Sequence, residues 1–296
     1  MLSLQTLSRL HMVEEYKFSI MKNDVWEVVL RPGGKQVVGS RWIYKVKHVA
    51  YRSLEKNKAR FVAKGYSQKK GEDYEETFTP VAKYTSIQVV ISISAEMGWQ
   101  VHHMDVKTAF LNDINEVCGR ESHVYPLKKV LYGLKMASQV WYSRIDKYLQ
   151  RMGFQRSEAD PNLYFLVGER PLILVLYVDD VFLTRDNDLI VDCKRKLSFE
   201  FEKKDLGLMH CFLGLEVGQR EGHFFVGQGK YTLEILKRFG MLECRPMSTP
   251  LVTNWRKIDA SRSEVVDATL YHRLIGSLMY LVNTTPDISF VVNSLG

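Results

Sequence analysis

The chain has 296 residues, of which 46% are hydrophobic and 25% are charged, and its formal net charge is +7. This composition excludes an intrinsically disordered protein, and the length allows one or two domains with a sizeable core. No apolar run is long enough to cross a bilayer, no secretory leader is evident, and the four scattered cysteines form no C-x-x-C pair. We therefore expect an intracellular protein in a reducing compartment, without a zinc site, a disulfide framework or a membrane partner.

The N-terminal quarter of the chain predicts an arm followed by strands. Loosely helical spacing over residues 1–22 indicates an arm or a short helix, and Trp26–Leu30 predicts a short strand. Alternation over residues 37–49 predicts a longer strand, and Ala59–Ala63 completes a β-hairpin with it.

This hairpin is strongly basic. Between Arg41 and Lys70 there are ten Lys or Arg residues and one acid, so the segment carries +9 and the rest of the chain −2. Aromatic residues such as Trp42 and Phe61 are interleaved with the charges. The segment is either a contact surface for a phosphate backbone or a triphosphate, or a solvated hairpin whose lysines discourage edge pairing.

Helices and hairpins follow one another without strict alternation in the rest of the chain. The predicted elements are a helix capped by Thr85 or Ser86 and ended by Gly98, a strand over Trp99–Val106, a helix from Trp141 to Gly153, a hairpin around residues 177–180, a helix opened by Asp188, a hairpin over Phe212–Val217 and His223–Val226, and helices over Lys230–Phe239 and Leu270–Val282. This order indicates an α+β protein with an antiparallel sheet rather than a doubly wound parallel one.

The most informative segment is Tyr-Val-Asp-Asp, residues 177–180, at the centre of an apolar run. The apolar residues at 172–178 and 181–183 predict two buried strands, with Asp179 and Asp180 at the turn between them. Two carboxylates at the tip of a rigid hairpin supply hard oxygen ligands that suit Mg²⁺. The alternative is an ordinary hairpin turn that contains aspartate.

Asp105 is the candidate for a third carboxylate. Two-metal phosphoryl transfer needs carboxylates that converge from separate strands, and Asp105 ends a predicted strand. Its alternative role is that of a strand-end residue that caps the next turn. His102 and His103 precede it and point to opposite sides of the strand, so we interpret them as ordinary strand residues.

Eight motifs in order resemble the reverse transcriptase domain of copia-type long-terminal-repeat retrotransposons. They are NDVWEVV, KARFVAKGYSQ, DYEETFTPVAKYTSI, MDVKTAFL, LYGLK followed by WY, YVDD, FLGLEV and PMSTPL. They extend over about Asn23 to Leu251, and the region through Thr284–Ile288 also resembles the segment C-terminal to the reverse transcriptase in such polyproteins. The resemblance implies a right-hand polymerase with fingers, palm and thumb, in which an antiparallel palm sheet packs on helices. It also implies two Mg²⁺ ions, a primed RNA or DNA template and deoxynucleoside triphosphates.

The resemblance implies a domain organisation as well. Residues 1–22 would form the N-terminal arm, and residues 23–250 the reverse transcriptase, with fingers and palm over 23–217 and a thumb-like part over 218–250. Residues 251–296 would begin a connection toward a ribonuclease H domain that the chain lacks. Such a fragment of a retrotransposon would act in a cytoplasmic particle or in the nucleus.

The palm residues are carried over from the resemblance by position. Asp105, Asp179 and Asp180 match the three carboxylates that hold the metal ions and catalyse transfer. Phe110 matches the aromatic residue that screens the sugar 2′ position, where a flat ring would clash with a ribose hydroxyl. Its alternative role is that of a core phenylalanine.

The fingers and the primer end have matching residues too. Lys58, Arg60 and Lys64 match the segment that carries the basic triphosphate contacts, and the resemblance does not say which of them makes the contact. Lys203 or Lys204 falls where a proton-donating lysine would lie. The turn that grips the primer end would comprise Phe212, Leu213, Gly214 and Leu215.

Two departures from the family pattern predict an impaired polymerase. Met136 replaces a glutamine expected to contact the incoming nucleotide, and a thioether lacks the two donors of an amide. After Val117 the chain passes directly to Cys118, and roughly ten residues are missing, about the two short strands of a hairpin. Two alternatives stay open: a catalytically dead remnant that at most binds nucleic acid, and a soluble α+β interaction domain.

Overall fold

The structure is a computed structural model that describes residues 13, 25, 29–30, 37–47, 56–106, 113–120, 123–129, 131–168, 171–220, 222–251 and 267–296. The predicted N-terminal arm lies outside the described residues except for Val13. Two compact units are formed, one by Met1–Ser94 with Trp99–Gly207 and the other by Ala95–Gly98 with Leu208–Gly296. The boundary expected between palm and thumb stays a prediction, because compactness alone does not define functional subdomains.

The described residues contain fourteen strands. They are β1 (Val29–Leu30), β2 (Ser40–Lys47), β3 (Lys56–Ala63), β4 (Gln100–Val106), β5 (Asp113–Arg120), β6 (His123–Lys129), β7 (Gln155–Arg156), β8 (Leu163–Leu166), β9 (Leu172–Tyr177), β10 (Asp180–Arg185), β11 (Lys203–Leu208), β12 (Cys211–Phe212), β13 (Leu215–Arg220) and β14 (His223–Gly227).

The described residues also contain six α-helices and two 3-10 turns. The helices are α1 (Tyr84–Glu96), α2 (Ala137–Arg151), α3 (Asn187–Glu200), α4 (Gly229–Arg238), α5 (Ala268–Leu281) and α6 (Ser289–Leu295), and the 3-10 turns are Gly65–Ser67 and Pro286–Ile288. Within the described part of the chain, no helix has the length and apolar character needed to cross a membrane.

The largest sheet has six strands in the order β11-β4-β10-β9-β8-β7. The apolar run around residues 177–180 supplies its two central strands, since β10 pairs antiparallel with β9 on one side and with β4 on the other. Residues 172–176 and 181–184 are buried, as expected for strands with neighbours on both edges and cover on both faces. The predicted α+β class with an antiparallel sheet is confirmed.

Helices α2 and α3 pack on one face of this sheet. Apolar residues of α2 recur at helical spacing, at Trp141, Ile145 and Leu149, and lie in one buried cluster with Met104 of β4 and Leu174 of β9. Helix α3 adds Ile190, Cys193 and Leu197 to the same cluster. The sheet therefore has a close-packed underside that limits movement of the β9–β10 turn.

Helix α1 starts earlier than predicted and is capped from a distance. The helix begins at Tyr84, so a cap at Thr85 or Ser86 was wrong. The backbone N–H of Lys83 donates to the carboxylate of Asp160 at 2.9 Å, and the Ser86 side chain also bonds to Asp160. A carboxylate next to the N-terminus of a helix satisfies its free N–H groups and interacts favourably with its dipole.

The segment with the apparent deletion still forms a hairpin. Strands β5 and β6 pair antiparallel, with Val117 opposite Pro126 and Cys118 opposite Tyr125, and β1 joins as a third strand. The pairing is continuous across the point where residues are missing from the family pattern. The remaining residues are thus long enough to pair with each other, and the predicted effect of the missing residues on activity stays a prediction.

The second unit combines a three-stranded sheet, β12-β13-β14, with helices α4, α5 and α6. A continuous strand over Phe212–Val217 was wrong, because a two-residue turn separates β12 from β13. Leu213 and Gly214 of that turn have φ angles of 47° and 80°. Positive φ at both central residues is typical of a tight hairpin turn, which glycine adopts without strain. Helices α4 and α5 agree with the predictions within two residues at each end.

Candidate active site

The turn between β9 and β10 is held in a strained conformation by helix α2. Tyr177 and Asp180 form the last pair of the hairpin, so Val178 and Asp179 are its central residues. Val178 has a φ of 55°, which is an outlier for a β-branched residue. The indole N–H of Trp141 donates to the Val178 carbonyl at 2.6 Å. The buried tryptophan therefore fixes the turn that carries the aspartates.

Three aspartates come together at this end of the sheet. Asp180 lies directly opposite Asp105 across β10 and β4, and the N–H of Val106 donates to the Asp179 carbonyl at 2.8 Å. Side chains of directly opposed residues project from the same face of a sheet, with Cβ atoms about 5 Å apart. The strand pairing places Asp105 beside the Tyr-Val-Asp-Asp hairpin, and the sharing of a metal by Asp105 and Asp179 stays a prediction.

The electrostatics of the cluster are unfavourable for a charged Asp179. Burial raises the pKa of Asp179, and the negative charges of Asp180 and Asp105 raise it further. The Arg60 guanidinium opposes this effect with its positive charge. A site that penalises its own negative charge in this way is suited to bind a cation.

His103 contacts one of the aspartates directly, which corrects its interpretation as an ordinary strand residue. Its Nε2 lies 2.7 Å from Oδ1 of Asp180, and its ring lies against Phe182 with centroids 4.7 Å apart. His102 is on the opposite face, where Lys194 approaches its Nδ1 at 3.1 Å. Period-2 alternation was the available sequence signal, because it places His103 on the same face as Asp105.

The donor set fits a divalent metal ion such as Mg²⁺. Within the described residues, no group of three or more His, Cys, Asp or Glu side chains is already arranged to hold a metal. Mg²⁺ does not require one, because it usually takes one or two carboxylates and completes its octahedron with water and substrate phosphates. Asp105 and Asp179 would supply such carboxylates, and Asp180 would do so on releasing His103.

The basic hairpin β2–β3 is attached to the segment Leu131–Lys135 through direct backbone contact. The Ala63 N–H donates to the Tyr132 carbonyl at 2.8 Å. A Cβ at Gly65 would lie 2.0 Å from the Gly133 carbonyl oxygen, and a Cβ at Gly133 would lie 2.4 Å from that of Ala63. We call Ala63, Gly65, Tyr132 and Gly133 the clasp. Only glycine fits at positions 65 and 133. This gives a physical reason for the glycine in the motif KARFVAKGYSQ and for the glycine in LYGLK.

The clasp also places Arg60 of β3 against the ring of Tyr132. The guanidinium carbon of Arg60 lies 4.9 Å from the centre of the Tyr132 ring, which is the geometry of a cation–π contact. Lys135 secures the same segment, because its N–H donates to the Gln68 side-chain oxygen and its ammonium donates to the Tyr74 hydroxyl, each at 2.8 Å.

Comparison with known proteins identifies the family. The family profile described as reverse transcriptase (RNA-dependent DNA polymerase) matches residues 23–253. The chain belongs to this family. The retrovirus-related Pol polyprotein from transposon RE1 of Arabidopsis thaliana is 36% identical over 288 residues, which cover 92% of this chain and 20% of that protein. The Pol polyprotein from transposon TNT 1-94 of Nicotiana tabacum is 35% identical, over 95% of this chain and 23% of that protein.

Solved structures agree on the fold of this reverse transcriptase chain. The foamy viral protease-reverse transcriptase, solved with double-stranded DNA, matches with a TM-score of 0.51 at 10% identity. The match covers 96% of this chain and 42% of that one. This likeness supports the predicted polymerase fold, in which the six-stranded sheet with α2 and α3 would correspond to the palm.

The other predicted substrate residues are only partly described. Phe110 lies outside the described residues, and only the backbone of Lys58 is described, in β3. Met136 precedes α2 and is half-buried, and its carbonyl accepts the Val140 N–H at 3.1 Å. The methylene chain of Lys64 lies along Gly39. The roles of all four in nucleotide binding stay predictions.

The predicted primer grip forms the β12–β13 turn of the second unit. Phe212 and Leu215 flank the turn and are buried, whereas Leu213 at its tip is exposed. The Tyr280 hydroxyl of α5 donates to the Leu213 carbonyl, which ties the turn to a helix of the same unit. Its contact with a primer stays a prediction.

Lys203 is a buried amine at the start of β11. Burial lowers its pKa to about 7, and its Nζ has no hydrogen-bond partner among the described residues. The amine lies 5.2 Å from the centre of the Phe201 ring. An amine with this pKa exchanges its proton near neutral pH, and the predicted proton-donating role of Lys203 or Lys204 stays open.

Proposed function

We propose that this chain catalyses RNA-directed DNA synthesis by two-metal nucleotidyl transfer from a deoxynucleoside triphosphate to a primer 3′-hydroxyl, on an RNA or DNA template. The observation that carries the proposal is the convergence of Asp105, Asp179 and Asp180 at one end of the palm sheet. The raised pKa of Asp179 supports it, because the cluster of like charges favours a bound cation.

The residues of this chain would contribute mainly by positioning. Asp105 would hold the cations from β4 and Asp179 from the β9–β10 turn, so the metal positions would be fixed by the sheet. Divalent metal ions, when bound, lower the pKa of the attacking hydroxyl and stabilise the leaving pyrophosphate. Trp141 would keep Asp179 in place through its hydrogen bond to the turn.

Arg60 is the basic fingers residue that we assign to the triphosphate. Its positive charge favours the charged form of Asp179, which is consistent with a place for Arg60 in the charge balance of the site. Among the described residues no carboxylate forms an ion pair with Arg60, so its donors are available to phosphate oxygens.

Reduced activity of this copy is part of the proposal and depends on Met136. With the β5–β6 hairpin retained, the missing residues after Val117 give a weaker reason for impairment. Met136 still lacks the amide donors that the family pattern has at this position. We expect the M136Q variant to lower KM for the nucleotide if this residue limits the reaction.

Primer extension on poly(rA) with an oligo(dT) primer, dTTP and Mg²⁺ tests the proposal. The D179N variant should lose on the order of a thousandfold in rate, because it removes charge where the metal ions bind. The matched control is D192N, since Asp192 lies on the outer side of α3 and pairs with Arg195 and Lys196. Its rate should stay near that of the wild type.

The outcomes separate the proposal from its alternatives. Salt-sensitive binding of the primer–template without extension would indicate a catalytically dead remnant. Absence of salt-dependent binding to any primer–template would indicate an interaction domain. Extension that is equally fast in D179N would contradict the assignment of the active site.

A further inference from the structure

Tyr132 is held rigidly beside the basic hairpin, although no role in the reaction was expected for it. Its carbonyl accepts the Ala63 N–H, and Gly133, the next residue, has a φ of 92° and is in contact with the β3 backbone. The backbone that carries the Tyr132 ring is therefore fixed relative to β3.

The ring contacts the side chain of Arg60, one of the three basic residues predicted to contact the triphosphate. Arg60 lies three residues before Ala63 on β3, with its guanidinium carbon 4.9 Å from the ring centre. Tyr132 thus lies at the base of the arginine that the proposed function assigns to the triphosphate.

A ring is well suited to orient a guanidinium that must bind phosphate. Stacking uses the face of the guanidinium and leaves its five N–H donors, which lie in the plane, free for oxygen atoms. A carboxylate partner would hold the arginine equally well but would occupy those donors and cancel the charge. The described residues supply the ring and no such carboxylate.

We propose that Tyr132 is a positioning residue that holds Arg60 for the triphosphate of the incoming nucleotide. This inference rests on the proposed function. It assigns to Tyr132 a contribution to nucleotide binding, measured by KM and Kd for dTTP, rather than to the chemical step.

Substitution of the ring should separate binding from chemistry. Y132L should raise KM for dTTP roughly fivefold with kcat within about twofold of the wild type, because it removes one cation–π contact. Y132F keeps the ring and should restore the wild-type KM. Y66L is the matched control, since Tyr66 is an exposed tyrosine of the neighbouring 3-10 turn, and its KM should not change.

The contribution must also depend on Arg60. In an R60A background, adding Y132L should have no further effect on KM, because the two residues act as one unit. Equilibrium dialysis of radiolabelled dTTP against the same variants gives Kd without turnover. Melting temperatures identify a variant that fails to fold. If Y132L fails to fold, Y132W is measured in its place. Y132W keeps an aromatic face and should bind dTTP with the Kd of the wild type.

Several results would overturn the inference. The first is an unchanged KM and Kd for dTTP in Y132L. The second is a KM in Y132F, or a Kd in Y132W, raised as much as is expected for Y132L. The third is an effect of Y132L on KM that is equal with and without Arg60. If the proposed function is wrong, the result is different: primer extension is absent, or its rate does not depend on Asp179. A Kd for dTTP that depends on Tyr132 would support the inference even in that case.

Discussion

The close approach of backbones in the clasp predicts that alanine at Gly133 will be unusually damaging. A Cβ there would lie 2.4 Å from the Ala63 oxygen and 2.4 Å from Cγ1 of Val62. Gly71 provides a matched control, because its φ of 86° is close to the 92° of Gly133 but a Cβ would meet nothing within 4 Å. Any L-residue at either position costs about 1–2 kcal/mol for its left-handed backbone conformation.

The difference between the two variants isolates the clash. In G133A the β3 backbone must move away, which strains the packing and lengthens the 2.8 Å bond from Ala63 to Tyr132. Overpacking and a lost hydrogen bond together amount to about 2–4 kcal/mol. With a urea m value of about 3 kcal/mol/M, G133A should unfold roughly 1 M below G71A.

Urea unfolding followed by circular dichroism measures this difference. Equal unfolding midpoints for G133A and G71A would refute the reasoning. The segment that contains Gly133 would then not be in contact with β3. The G65A variant adds a consistency check: its Cβ would meet the Gly133 oxygen, so the double variant should lose less than the sum of the single losses.

Two further predictions concern the palm. W141F removes the indole N–H that holds Val178, so kcat of primer extension should fall about tenfold. The melting temperature should fall by only a few degrees. A large loss of stability with an unchanged kcat would contradict this prediction. Between pH 7 and 10.5 the unfolded chain keeps a proton on Lys203 that the folded chain has released, so the free energy of unfolding should rise with pH over this window. K203M should remove that rise and be more stable at pH 6 by on the order of 3 kcal/mol, and parallel pH curves for the two proteins would refute the low pKa.

The palm hairpin was predictable because its determinants are local. The apolar run around residues 177–180 has the length of two strands, and the pair of aspartates interrupts it where β9 ends and β10 begins. Asp105 was predictable for a similar reason, since it lies near the end of an apolar strand. The family motifs in order then indicated which strands meet.

The features that the sequence could not indicate depend on contacts between distant segments. The cap of α1 comes from Asp160, more than seventy residues further along the chain. The contact of Gly65 with Gly133 joins the motifs KARFVAKGYSQ and LYGLK. Nothing in the residue pattern of either motif indicates that it contacts the other. The β5–β6 pairing was not predicted, because a count of missing residues does not determine how the remaining ones pair.

The central position of β10 has a consequence for the order in which the palm opens. Both edges of β10 are bonded, to β4 and to β9, whereas the outer strand β7 consists of two residues. Amide protons of residues 181–184 should therefore exchange with solvent more slowly than those of β7 and β8, since they open only when two ladders break. The aspartates are thus attached to the part of the sheet that we expect to open last.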